Sequence, residues 1–334
     1  MTAWRTGPNN AITDVPGIRV GHDTDRRGVT GCTVILCETA HAAAVDTRGG
    51  APGTRETDVL GLANLVRTCH AVVFTGGSAF GLAAANGVMR FLAERGAGFA
   101  TVHRPVPIVT AAVLYDLSLG DAMAAPGAEA GYRAAKRARR GAVAEGSVGA
   151  GTGATVAKLL GPEHIVKGGV GTASLLGPGG LVVGALVAVN AVGSVSNPET
   201  GELVAGPRNP AGGFVPLPEA LERRAAALDV TPGENTTLIC VATNAALEPN
   251  QVQRLCTQAH DGFARAVSPA HTIGDGDIAF ALSMGGLEPG PQTALDAGVL
   301  AARAVEMAIL NAVTAAKGVK AVPSASEWLA QSQS

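Results

Sequence analysis

The segment Pro232-Gly233-Glu234-Asn235-Thr236-Thr237 joins a long polar stretch directly to an apolar run, and it puts a threonine hydroxyl immediately after an asparagine. A threonine hydroxyl is a poor nucleophile at neutral pH and needs a base. Cutting the bond before Thr236 would create one, because a new α-amine has a reference pKa of about 8 that falls with burial. The same hydroxyl could first attack the Asn235 carbonyl and form an ester that water resolves. Self-processing and catalysis would then use one oxygen. Local propensity alone favours a plainer reading, in which Thr236 is a β-branched residue opening a strand.

Other chemistry-bearing patterns are weaker. Gly76-Gly77-Ser78-Ala79-Phe80-Gly81 approaches a nucleophile elbow, but its second glycine falls one place late and no triad partners stand in a recognisable motif. Gly149-Ala150-Gly151-Thr152-Gly153-Ala154 lacks the ending of a phosphate-binding loop and reads better as a close backbone approach to a site, or to Lys158. Asp275-Gly276-Asp277 begins like a calcium loop without the later ligands. The histidines are scattered without metal-ligand spacing. Asp46 and Arg48 read equally as a pocket edge or a structural ion pair. Lys158 reads equally as a site residue or a surface lysine.

These residues must be held by elements that the hydrophobic pattern marks out. Apolar runs at 18–20, 32–37, 42–46, 71–75, 166–173, 181–194, 237–243 and 278–282 are expected as strands. Helical spacing is expected over 60–68, from 78 to 93 with Ser78 as N-cap, and over 121–144, 252–267 and 295–313. Residues 108–115 fit either type. Residues 197–234 read as an exposed connection interrupted by a short helix over 218–228, and the last ten residues as a polar tail. Strands and helices come in runs on both sides of that connection. An α+β layered fold, one domain over 1–334, is therefore expected rather than a doubly wound parallel sheet.

Bulk properties narrow the function classes. Hydrophobic residues make up 47% of the 334 and charged ones 16%, enough apolar material for a large core. A net charge of −2 offers no general attraction to nucleic acid or an anionic membrane. The basic residues between Arg133 and Arg140 read as a solvated helix face. Five cysteines without metal spacing, and no apolar run at the start, suggest reduced thiols in a cytoplasmic protein. The apolar stretch 179–195 is short for a bilayer span.

At this point the pattern becomes specific. GENTTLICVATNA resembles the cleavage segment of the family that contains L-aminopeptidase/D-amidase/D-esterases, β-peptidyl aminopeptidases and 6-aminohexanoate-oligomer (nylon-oligomer) hydrolases. Further segments are similar to the same family and follow in order: ITDVPGIRVGH, AVDTRGGAPGTRETD, FTGGSAFGLAAANGV, GAGTGATVAK and HTIGDGDIAFAL. The resemblance implies a four-layer αββα, N-terminal-nucleophile-like fold, autocleaved into fragments 1–235 and 236–334. Carried over by position, it implies Thr236 as nucleophile, Asp275 and Asp277 as polar partners of the nucleophile and its amine, and Asn190 as oxyanion donor. It also places Tyr115 and Lys158 beside the site. Aminopeptidase members often have a serine nucleophile, with a hydroxyl and a glutamate where this chain has its two aspartates, so this combination is more like the nylon-oligomer branch.

The expected substrates are small peptides, amino-acid amides or oligomers of a short ω-amino acid, and the expected assembly is a homo-oligomer, commonly a tetramer. No cofactor or metal is called for, because amine, hydroxyl and carboxylates supply the acid–base chemistry. An acyltransferase of the ornithine-acetyltransferase type, or a binding protein that never cleaves, are the alternatives.

Overall fold

A computed structural model describes residues 4–225 and 235–332 of the chain. Pro232, Gly233 and Glu234, with the end of the expected connection, lie outside the described residues.

Two five-stranded sheets dominate. The first contains β1 (Arg19–Asp25), β2 (Thr30–Leu36), β4 (Thr54–Arg55), β5 (Ala71–Thr75) and β6 (Val109–Val113), in the order β1-β2-β5-β6-β4. The second contains β3 (Ala42–Thr47), β9 (Gly169–Leu176), β10 (Val182–Asn190), β13 (Thr236–Ala245) and β15 (Ile278–Leu287), in the order β3-β15-β13-β10-β9. Two small ladders join β7 (Thr155–Val156) to β8 (Val166–Lys167), and β11 (Ser194–Ser196) to β12 (Leu203–Ala205) and β14 (Val267–Ser268). Six α-helices are described: α1 (Ala84–Ala93), α2 (Ala128–Arg137), α3 (Leu217–Ala225), α4 (Pro249–Ala266), α5 (Thr293–Thr314) and α6 (Ala325–Gln331).

The layers follow from strands that are apolar on both faces. Alternate side chains of a strand point to opposite sides of the sheet. On β13, Leu238, Cys240 and Ala242 face the first sheet, where they meet Ile35, Val72 and Phe74. Ile239 and Val241 face away and pack with α4 and α5. The outer face of the first sheet, including Val34, Val73 and Val109, is covered by α1 and α2. Phe74 and Phe280 stack between the sheets with ring centroids 6.3 Å apart. Helices, sheet, sheet and helices therefore form four layers.

Several elements differ from expectation. Residues 61–68 are not helical; only Asp58–Leu60 forms a 3-10 turn, the Asn64 side chain bonds back to the Asp58 carbonyl, and Leu62 and Leu65 are exposed. Ser78 is not an N-cap. Gly77, at φ 79°, occupies that position, and the Asp116 carboxylate accepts its amide proton at 2.7 Å. The helix expected over 121–144 is confined to α2, starting after Pro126-Gly127 and ending at the extended Ala138. The connection carries β12, and Ala205 and Val215 within it are buried. The supposed polar tail contains α6, begun by a capping box between Ser324 and Glu327. On α2 the basic residues Arg133, Lys136 and Arg137 are exposed, as expected of a solvated face, but Arg133 and Arg137 also both bind Asp23, at 2.7 and 2.6 Å, and Arg139 and Arg140 lie beyond the helix. Among the described helices only α5 is long and apolar enough to cross a membrane, and it is mostly buried between α4 and the second sheet.

Candidate active site

Thr236 is the first residue of β13, and the antiparallel register sets it opposite Asn190, the last residue of β10. β15 runs parallel to β13 from Ile278 onward, so the loop preceding β15 arrives at the same end of the sheet as Thr236. An additional bridge between Asn235 and Asp275 carries this parallel pairing one step past the strand. Two chain segments remote in sequence are thus held side by side by ordinary ladder hydrogen bonds.

The geometry around the Asn235–Thr236 bond is specific. Thr236 Oγ1 donates to the Asn235 carbonyl oxygen at 2.5 Å, and the Gly276 amide donates to the same oxygen at 2.8 Å. The carbonyl is therefore polarised by a fixed donor, with the hydroxyl folded back onto it. Gly276 must lack a side chain for this: a Cβ there would stand 2.7 Å from Thr236 Oγ1 and 2.8 Å from the Ala51 carbonyl oxygen. Thr236 and Asn235 are both buried.

Asp275 and Asp277 flank that glycine and are both buried. Asp275 accepts from Thr272, through its amide at 3.1 Å and its hydroxyl, and from the Val192 amide at 3.5 Å. Burial, and then the neighbouring charge of Asp277, hold its carboxyl above the usual aspartate range. Asp277 accepts the Thr237 amide on Oδ1 at 2.7 Å. On Oδ2 it meets His271 twice, through the amide at 3.0 Å and ring Nδ1 at 3.1 Å. Arg48 and Gly49 donate their amides to the Asp277 carbonyl, and Ala51 donates to that of Asp275. The 48–51 segment thus clamps the acidic loop, while Asp46 and Arg48 form an ion pair at 2.9 Å.

On the other side, Asn190 Oδ1 accepts from the Thr155 amide and from Lys158 Nζ, both at 3.0 Å, and Asn190 Nδ2 donates to the Tyr115 carbonyl at 3.0 Å. Lys158 Nζ also donates to the Asn190 main-chain oxygen at 3.2 Å. Lys158 is thereby held against Asn190. Tyr115 reaches Asn190 through its main chain, and its ring is half-buried. The glycine loop before Thr155 is held from beneath by Lys167, which is fully buried and donates to the carbonyls of Thr152 at 2.9 Å and of Ala154. Burial lowers Lys167 to about 7.

All six residues expected from the sequence therefore gather at one end of the second sheet. Sequence reasoning missed Gly276, His271 and Lys167. His271 lies inside the HTIGDGD segment, but metal spacing was the wrong criterion for it; its partner is a carboxylate six residues on. Among the described residues no group of His, Cys, Asp and Glu could hold a metal ion.

The chain resembles solved structures of aminopeptidases. A Burkholderia sp. beta-aminopeptidase superposes with a TM-score of 0.72 at 27% identity, covering 99% of this chain and 95% of that one. The Ochrobactrum anthropi L-aminopeptidase D-Ala-esterase/amidase, described as a variant of the Ntn hydrolase fold, superposes at 0.71 over 95% and 89%; at 24% identity it speaks for the fold alone. The class is that of peptide-bond hydrolases on an Ntn-hydrolase fold. The family model for Peptidase family S58 matches residues 10–325, and the chain belongs to that family. An uncharacterized aminopeptidase of Mycobacterium leprae is 42% identical over 95% of this chain and 93% of its own length. A 6-aminohexanoate-oligomer endohydrolase of Kocuria sp. is 31% identical over 83% and 76%.

Proposed function

We propose that Thr236 first cleaves the chain and then serves as the catalytic nucleophile of an amidohydrolase. In processing, Oγ1 attacks the Asn235 carbonyl carbon, the bond to the Thr236 nitrogen breaks, and the hydroxyl proton ends on that nitrogen. Water hydrolyses the resulting ester and leaves fragments 1–235 and 236–334. In turnover the freed α-amine takes the Oγ1 proton as the hydroxyl attacks the substrate carbonyl, then passes it to the departing amine. A second water releases the acyl group.

The observation that carries this reading is the shared carbonyl. The Asn235 oxygen accepts from both the Thr236 hydroxyl and the Gly276 amide, so nucleophile and electrophile already meet with a donor in place. Asp275 and Asp277 supply negative charge for an ammonium group, whether of the Thr236 terminus or of the substrate. Asn190 is the oxyanion donor, and releasing its amide from the Tyr115 carbonyl is part of that role. Lys158 holds Asn190 in place.

The substrates of this reading are small peptides, amino-acid amides and oligomers of ω-amino acids, the last suggested by the relatives named as 6-aminohexanoate-oligomer endohydrolases. The active species is a cytoplasmic homo-oligomer of processed protomers, a tetramer; exposed Leu65, Phe80 and Met123 are suited to its contacts. Thr236→Ala should remain full length and inactive, whereas Thr236→Ser should process and turn over. Activity in purified, intact Thr236→Ala would rule the nucleophile out. Amino-acid p-nitroanilides assayed beside 6-aminohexanoate oligomers separate the substrate classes.

A further inference from the structure

His271 stands outside every role assigned above, yet it supplies two of the three hydrogen-bond contacts to the Asp277 carboxylate. Its main-chain amide and its ring Nδ1 both address Asp277 Oδ2, at 3.0 and 3.1 Å, while Oδ1 accepts the Thr237 amide. Asp277 is fully buried, so its orientation is decided by these three donors. An ionised carboxylate only accepts, which requires the proton of a neutral His271 ring to sit on Nδ1. The left-handed backbone of His271, φ 55°, lets one residue present both donors to one oxygen.

The ring is fixed from behind. His260 and Phe263 on α4 meet it edge-to-face, with centroids 4.7 and 5.1 Å away. His260 is itself anchored by the Asp46 carbonyl, 3.0 Å from its Nε2, which must therefore carry the proton. Burial lowers His260 to about 4, so it stays neutral beside His271 at physiological pH. The charged groups around this arrangement are Asp275 and Asp277 on the loop and Asp46 and Arg48 at the end of β3. A chain of contacts thus leads from α4 through two edge-to-face imidazoles to the carboxylate that holds the start of β13.

We propose that His271 is a positioning residue, whose Nδ1–H sets the orientation of Asp277 and, through it, the alignment of Thr236 for processing and turnover. The inference rests on Thr236 as nucleophile. It differs from simple packing in one respect: a donor is required at the Nδ1 position and nowhere else on the ring.

Two substitutions of similar polarity test that requirement. His271→Asn carries its amide donor near the Nδ1 position, whereas His271→Gln carries it toward the Nε2 position. Wild type and both variants are followed for the rate of chain cleavage, for kcat and KM on an amino-acid p-nitroanilide, and for melting temperature. The Asn variant should keep cleavage and kcat within about threefold of wild type. The Gln variant should lose roughly tenfold to a hundredfold in both, with KM little changed, the scale expected when a reacting group is misaligned. Equal rates in the two variants, whether both high or both low, would overturn the proposal. A wild-type chain that never cleaves would instead remove the nucleophile assignment, and this inference with it, so the two failures are distinguishable.

Discussion

At the scale of single residues, each part of the site can be removed separately. Asn190→Ala takes away the donor assigned to the oxyanion and should lower kcat by about 10²- to 10³-fold with a smaller change in KM, measurable by steady-state assay. Gly276→Ala is the sharper test of the processing geometry. Its Cβ would fall 2.7 Å from Thr236 Oγ1 and must push that hydroxyl off the Asn235 carbonyl. Cleavage in this variant should slow by about 10²-fold or more, followed as loss of full-length chain on a gel. Wild-type cleavage would show that the contact is incidental. Thr236, Asp275 and Asp277 lie in segments that resemble the family in type and order, and Asn190 enters only by position within that resemblance. His271 was not, since its meaning lies in a hydrogen bond to Asp277 rather than in a spacing between histidines.

At the scale of elements, the site depends on three pieces meeting at one sheet end: the start of β13, the end of β10 and the loop before β15. Apolar runs made these strands readable, but the pairing of Asn190 with Thr236 is a property of register, which one strand's pattern does not contain. Helix limits were overdrawn where Pro126-Gly127 delays α2, and α6 was missed because a short capped helix resembles a polar tail. The glycine loop has a support of its own in Lys167, whose ammonium caps the Thr152 and Ala154 carbonyls just before the Thr155 amide that holds Asn190. Lys167→Met should destabilise the protein by about 1 to 3 kcal/mol, because buried carbonyls lose their donor, and should lower kcat through Asn190. Thermal melts and kinetics on the same preparation check both. An unchanged melting temperature would show that the loop needs no such support.

At the scale of the whole molecule, His22 and His260 should contribute to the loss of stability in acid. Burial depresses both His22 and His260 to about 4, against 6.5 for an unperturbed imidazole. The unfolded chain therefore takes up protons at these groups before the folded chain does. Their contribution to stability is complete above pH 6.5 and is lost as pH falls toward 4. Melting temperature should fall across that window, and His22→Gln should make the fall shallower; an identical pH profile in the variant would exclude His22 as a cause. The four layers draw strands from both sides of the Asn235–Thr236 bond, with β13 between β10 and β15 in one sheet. Cleavage should therefore leave the two fragments associated, since neither carries a complete second sheet. The decisive measurement is the intact mass and N-terminal sequence of each species from purified protein under denaturing conditions. The account predicts two chains of about 23 and 10 kDa, pro rata from 33.2 kDa, the smaller beginning Thr-Thr-Leu-Ile-Cys. A single chain of full mass, persisting after long incubation across a range of pH, would contradict it.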